Sequence, residues 1–213
     1  MNKWLGKVDI DDVHKFMIIT SIIFLVSALF FPFVFVFIAQ DILFHSRDYW
    51  YFGTPVSAYL LAGAGMLTFP AVAILYSLFR MIGSGIVQRS GVISLVLLIM
   101  ISAGVPFYIL GVNSYFIFDD QGVHKNEAIS TQLTSFKWNE IQYFIPEISE
   151  ESGTATYDSF HFVNQEDEII SIPYDPDFSH VRSMILSELD NQSGEALERM
   201  TANEWDKWKE TRQ

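Results

Sequence analysis

Three stretches of the chain, residues 16–40, 49–79 and 90–118, contain no Asp, Glu, Lys or Arg. A helix needs ~20 apolar residues, at 1.5 Å rise each, to cross the hydrocarbon core of a bilayer. The pattern therefore predicts spanning helices over about 16–39, 56–79 and 92–112. The first is too long for a signal-peptide core and is followed by no small-residue cleavage site, so it reads as a retained span. Each predicted span holds one proline, Pro32, Pro70 or Pro106. These read as local kinks, which lipid-embedded helices tolerate when neighbours satisfy the freed carbonyl. Ala58, Ala62 and Gly65 share one face of the second helix and predict a close helix contact, within the chain or with another copy. The short segment 80–91 predicts an antiparallel hairpin between the second and third helices. Tyr49, Trp50, Tyr51 and Phe52 fall at a predicted membrane boundary and read as interface anchors. At the N-terminus, Trp4, Leu5, Val8 and Val13 are spaced for a short interfacial helix.

From residue 113 the period changes. Residues 114–119 read SYFIFD, β-branched and aromatic with alternating faces, and Asp119-Asp120-Gln121-Gly122 is a turn signal. A return strand is predicted over 123–130 and a further candidate over 131–136. Ile141, Tyr143 and Ile145 alternate along another strand, and 157–164 and 169–172 flank the polar tip Gln165-Glu166-Asp167-Glu168. Phe178, Val181, Met184, Ile185 and Leu189 recur at helical spacing, predicting an amphipathic helix over 178–190. Phe116, Phe118, Trp138 and Ile141 are the expected core of this part. In the tail 191–213, residues 195–200 and 203–209 are helix-compatible, and Thr201 with Glu204 fits a capping box. Trp205 and Trp208 stand three residues apart, able to pack on the domain or to touch a partner or the membrane.

The charge balance sharpens this division. The 213 residues carry a formal charge of −12, and 50% are hydrophobic. Residues 1–112 sum to +1 and residues 113–213 to −13. An apolar, nearly neutral half thus precedes an acidic, polar one. The organisation expected is a transmembrane region over 1–112, a β domain over 113–190 and a helical tail over 191–213. The acidity argues against nucleic acid as a partner, since such a protein carries a basic stripe. There is no cysteine, which removes disulfides, thiol catalysis and Cys-bound zinc.

The run Tyr115-Phe116-Ile117-Phe118-Asp119-Asp120-Gln121-Gly122-Val123, then Phe136-Lys137-Trp138-Asn139-Glu140-Ile141, then an acidic-tipped hairpin and a closing helix, resembles the bacterial pleckstrin-homology-like domains that stand beside transmembrane helices. The likeness covers about residues 113–190. It implies a small antiparallel β domain closed by a C-terminal helix, which with the three spans read from the uncharged stretches makes a three-helix membrane region followed by a pleckstrin-homology-like domain. More distantly, the pattern resembles membrane proteins that protect a producer from its own bacteriocin. Phosphoinositide-binding members of the wider superfamily carry Lys or Arg in the first hairpin loop. Here that loop holds Asp119 and Asp120, which repel phosphate, so lipid-headgroup binding is not carried over and phosphoinositide is not an expected partner.

No phosphate-binding glycine loop, dinucleotide fingerprint, zinc-protease helix or serine-hydrolase elbow occurs, and no two histidines stand four apart. Asp9, Asp11, Asp12 and His14 read as a solvated face, and Glu166-Asp167-Glu168 as a solvated hairpin tip. His124 and His161 read as surface residues. The expectation is no catalysis, no cofactor and no metal. The chain reads as a membrane-anchored module for a protein or peptide partner, self-protection against a secreted peptide being one form. The rival is an accessory subunit of a transporter or signalling complex, or a homo-oligomer, joined through the Ala58, Ala62 and Gly65 face. Orientation follows Lys and Arg near the spans. Lys3, Lys7, Lys15, Arg80 and Arg89 would lie inside against Arg47, Lys125 and Lys137 outside, predicting a cytoplasmic N-terminus and an extracytoplasmic C-terminal domain in the cell membrane.

Overall fold

The first uncharged stretch does not run as one helix. Helix α1 (Ile10–Ser27) ends in a turn at residues 28–30, and α2 (Phe31–Phe44) leaves at 72° to it. Pro32 sits in the first turn of α2. Its ring lacks an N–H and clashes with the carbonyl four residues back, so a helix starts there instead of passing through. The structure, a computed structural model, describes residues 10–44, 48–82, 95–96, 98–99, 102–130, 133–151, 154–192 and 194–212.

Helix α3 (Val56–Ile82) continues through Pro70. Helix α4 (Val105–Val112) packs on it. Backbones meet closely: a Cβ on Gly111 would stand 2.7 Å from the Ala58 carbonyl. These helices form one unit, Met1–His45 with Val56–Asn113. Many of its outward side chains are large and apolar, with Phe37 66%, Ile42 75% and Leu60 69% exposed.

Three spanning helices are not what this unit contains. Among the described residues, Val56–Phe79 is the helix long and apolar enough to cross a membrane. The pair Lys15–Ser27 and Phe31–Phe44 adds a second only if its two bent halves count as one span. Of the stretch 92–112, residues 92–94, 97, 100 and 101 lie outside the described residues, and its C-terminal end is the eight-residue α4. Among the described residues the chain is a mixed helix-and-sheet protein with two sheets. The interfacial helix at Trp4, Leu5 and Val8 and the hairpin at 83–91 also lie outside the described residues.

The second unit joins Ser46–Pro55 to Ser114–Gln213, so the division differs from the sequence one at residues 46–55. The aromatic run expected as an interface anchor is instead strand β1 (Tyr49–Gly53). It opens an antiparallel sheet ordered β1-β2-β3-β4, with β2 (Tyr115–Asp119), β3 (Gly122–Asn126) and β4 (Thr134–Lys137). Register pairs Phe52 with Ile117 and Gly53 with Phe116. The Phe116 ring lies where a Cβ on Gly53 would stand, 2.2 Å away, so glycine is required.

The second sheet is ordered β7-β6-β5-β8, with β8 (Glu195–Ala196) at its edge. Its core strands β5 (Ile141–Glu151), β6 (Thr154–Asn164) and β7 (Ile169–Pro173) run antiparallel. Helix α5 (Ser179–Asn191) buries Val181, Ile185 and Leu189, spaced four apart, while Met184 turns outward at 44% exposure. The core joins both sheets and α5 through Phe118, Phe160, Phe162 and Phe178. Phe160 and Phe178 stack with ring centres 4.4 Å apart. The helix-compatible segment 195–200 is not helical. It forms the two-residue strands β8 (Glu195–Ala196) and β9 (Met200–Thr201), both parallel to β5. Helix α6 (Ala202–Glu210) follows, opened by the expected capping box: the Glu204 carboxylate accepts the Thr201 N–H at 2.8 Å.

Candidate functional site

Successive residues of a strand point to opposite faces. Phe144, Phe160 and Phe162 therefore enter the core, while Tyr143, Ile145, Glu147, His161 and Val163 take the other face of the second sheet. That face is covered by the tail. Ile145 and Val163 pack with Trp205 of α6, and Leu197, Met200 and Trp208 surround them. The tail is held by backbone as well: the Leu197 N–H donates to the Phe144 carbonyl at 2.9 Å. Pro146 is the next residue of β5 on that edge. It lacks an N–H to donate, and the parallel pairing breaks into β8 and β9 on either side of it.

Beneath Trp205 lies a closed polar network. His161 is 3% exposed. Its Nε2 stands 2.9 Å from Glu147 Oε2 and its Nδ1 2.8 Å from Ser171 Oγ. Ser159 donates to the same Glu147 oxygen. Burial holds the imidazole below its ordinary pKa, over the opposing hydrogen bond and charge of Glu147. The ring is thus neutral near pH 7, with Nε2–H donating to Glu147 and the Ser171 hydroxyl donating to Nδ1. The indole of Trp205 lies against it at 4.0 Å, nearly parallel. Outward from Trp205 the stack continues to Trp208, 5.3 Å away, and Arg212 lies over both Trp208 and Tyr143 at 4.5 and 4.4 Å. Arg212 also reaches Asp167 at 3.1 Å, tying the chain end to the β6–β7 tip.

A serine, an imidazole and a carboxylate in line suggest acyl transfer, which needs an exposed nucleophile and donors aimed at a developing oxyanion. Here Trp205 covers the imidazole face and both ring nitrogens are engaged within the sheet. The arrangement fixes the tail to the domain. The described residues contain no group of three or more side chains able to hold a metal.

Phe116, Phe118, Trp138 and Ile141 all lie buried in the core. Trp138 is in a short 3-10 turn, its Nε1–H donating to the Asp119 carbonyl at 2.9 Å, its ring 5.5 Å from Trp50. Ala58, Ala62 and Gly65 are buried on α3, Gly65 within reach of Gly104 and Phe107. Trp205 is buried against the sheet, and Trp208 is half-buried. His161, expected at the surface, is buried because α6 folds over it. His124 is half-buried and bonds Asp119 and Ser135. Glu166 and Asp167 are exposed. In the first hairpin, Asp119 accepts the Gln121 and Gly122 N–H groups and Asp120 accepts the Trp50 indole N–H, so both carboxylates hold the turn. Glu147, Ser159 and Ser171 were not singled out from the sequence. Their signal is a polar residue at alternate positions of otherwise apolar strands.

No family model, curated protein or solved structure matches the chain.

Proposed function

We propose that the chain is a non-catalytic membrane protein that presents its acidic β unit as a protein- or peptide-binding module of the pleckstrin-homology-like kind, with self-protection against a secreted peptide as one form of that role. The observation that carries the reading is the outward face of the helical unit. Phe16, Leu29, Phe37, Ile42, Leu60 and Phe79 are all exposed, a surface that matches hydrocarbon and not water. The −13 charge of residues 113–213 suits an aqueous unit beside it. Strand β1 pairs with β2, so residues 49–53 and 115–119 lie on one side of any bilayer. Between them the chain crosses an even number of times.

On this reading the contact surface centres on Trp208, with Tyr143 and Arg212 around it. Trp, Tyr and Arg dominate binding energy at protein interfaces. The rival role as an accessory subunit rested on the Ala58, Ala62 and Gly65 face, and α4 already fills that face within the chain.

The test is purification of the full chain in mild detergent with partners identified by mass spectrometry. The expected result is a chain that stays with membranes through an alkaline carbonate wash and retains a defined partner, lost on Trp208→Ala. A chain released by the wash, or a partner retained equally by Trp208→Ala, overturns the reading.

A further inference from the structure

We propose that Arg182, Arg199 and Tyr157 form a binding site for a phosphate-type oxyanion, free or on a lipid headgroup. Tyr157 stands on β6, Arg182 on α5, and Arg199 between β8 and β9. Three elements distant in sequence thus converge. The Arg182 guanidinium carbon lies 5.2 Å from the centre of the Tyr157 ring and that of Arg199 lies 5.0 Å from it. The two cations are therefore no more than about 10 Å apart, since each stands about half that distance from a common point.

Two polar atoms at this point have no partner. The Tyr157 hydroxyl and the Arg182 Nε are both buried and neither makes a hydrogen bond. A buried donor left unmade is costly, and native proteins leave few. The cations are equally unmatched. Lys125, Lys137, Lys209 and Arg212 each pair with a carboxylate. Among the described residues neither Arg182 nor Arg199 has an ion-pair partner. This occurs in a segment with 20 acidic side chains, so carboxylates are not scarce.

An oxyanion resolves both mismatches. It separates the guanidinium charges, accepts their N–H groups in the fork geometry that phosphate matches, and takes the phenol proton donor. The Arg182 Nε and the Tyr157 hydroxyl are buried, whereas the Arg199 side chain is exposed. The exposed Arg199 side chain is the side from which a ligand reaches the buried donors. The site is separate from the first hairpin, where Asp119 and Asp120 repel phosphate.

The test uses the full chain in detergent. Inorganic phosphate at millimolar concentration, against chloride at equal ionic strength, is expected to raise the thermal midpoint, because a ligand bound by the folded state alone stabilises it by mass action. Arg199→Gln, an exposed substitution that leaves the fold intact, weakens phosphate binding about tenfold or more, as loss of a charge-assisted bidentate pair does. Tyr157→Phe removes an unpartnered hydroxyl; it folds as the wild type does and also binds phosphate more weakly. A second arm places the chain in nanodiscs with or without phosphatidic acid. A response to free phosphate identifies a soluble ligand, and one confined to phosphatidic acid identifies a headgroup. No response in either arm, or an undiminished response in Arg199→Gln and Tyr157→Phe, overturns the proposal.

Discussion

The imidazole of His161 and the indole of Trp205 lie flat against each other, ring centres 4.0 Å apart and planes within 5°. One residue belongs to the middle of the second sheet and the other to the last helix, so this pair sets whether the tail is on or off the domain. Trp205 is 5% exposed and packs on Ile145 and Val163. Trp205→Ala should cost about 3–5 kcal/mol of the stability of the tail's docked state, as loss of a buried aromatic does. Limited proteolysis of the full chain should then cut within 194–212 at a protease concentration that spares the wild type. Trp208→Ala, at a half-buried ring, should leave the tail protected.

The same pair makes docking sensitive to acid. The folded-state pKa of His161 is lowered, chiefly by burial. The unfolded or undocked imidazole titrates near 6.5, so it takes up a proton before the docked one does. The stabilising contribution is therefore fully present above about pH 6.5 and is lost as pH falls through the lower folded value. The thermal midpoint should fall on acidification below that point. His161→Phe keeps a ring under Trp205 and cannot titrate, so its midpoint should be flatter across the same window. An equal slope in both proteins would show that other groups control the acid response.

Trp138 anchors the first sheet to its turn. It is 3% exposed, stacks on Trp50 and donates to the Asp119 carbonyl. Trp138→Ala should cost about 3–5 kcal/mol. Trp138→Phe keeps most of the packing and should cost roughly 1–3 kcal/mol, since it leaves a carbonyl unpaired. Denaturant unfolding followed by tryptophan fluorescence measures both.

What could be read from the sequence was local. The helix over 178–190 was legible because Val181, Ile185 and Leu189 repeat every four residues, and the start of α6 because Thr201 and Glu204 satisfy each other within one turn. Phe116, Phe118 and Trp138 were legible as core from alternation and size. The misreadings share a non-local cause. Tyr49–Gly53 is a strand only because Tyr115–Asp119, more than sixty residues on, supplies its partner. Segment 195–200 has helix-compatible residues, but the free edge of β5 draws it into extended pairing. His161 alternates with Phe160 and Phe162 as a surface residue would, and its burial depends on a helix forty residues away. The length of an apolar stretch is visible in sequence, whereas the 72° bend at Pro32 is a matter of which neighbours it meets.

On the proposed membrane reading, the pairing of β1 with β2 fixes which compartment two segments share, and this can be checked in whole cells. Residues 49–53 precede α3 and residues 115–119 follow α4, yet they share one ladder. Whatever lies between, both must face the same compartment. The chain has no cysteine, so single cysteines report cleanly. Asp48→Cys and Gln165→Cys are exposed positions of this unit. A membrane-impermeant maleimide should label both or neither, and labelling of one alone would break the strand pairing. The basic residues Lys3, Lys7 and Lys15 favour a cytoplasmic N-terminus. If the bent pair α1 and α2 then crosses once, both cysteines are labelled from outside. If the pair turns back on itself, both are labelled only after the cells are opened. The 72° break at Pro32 permits either path, and the two cysteines together distinguish them.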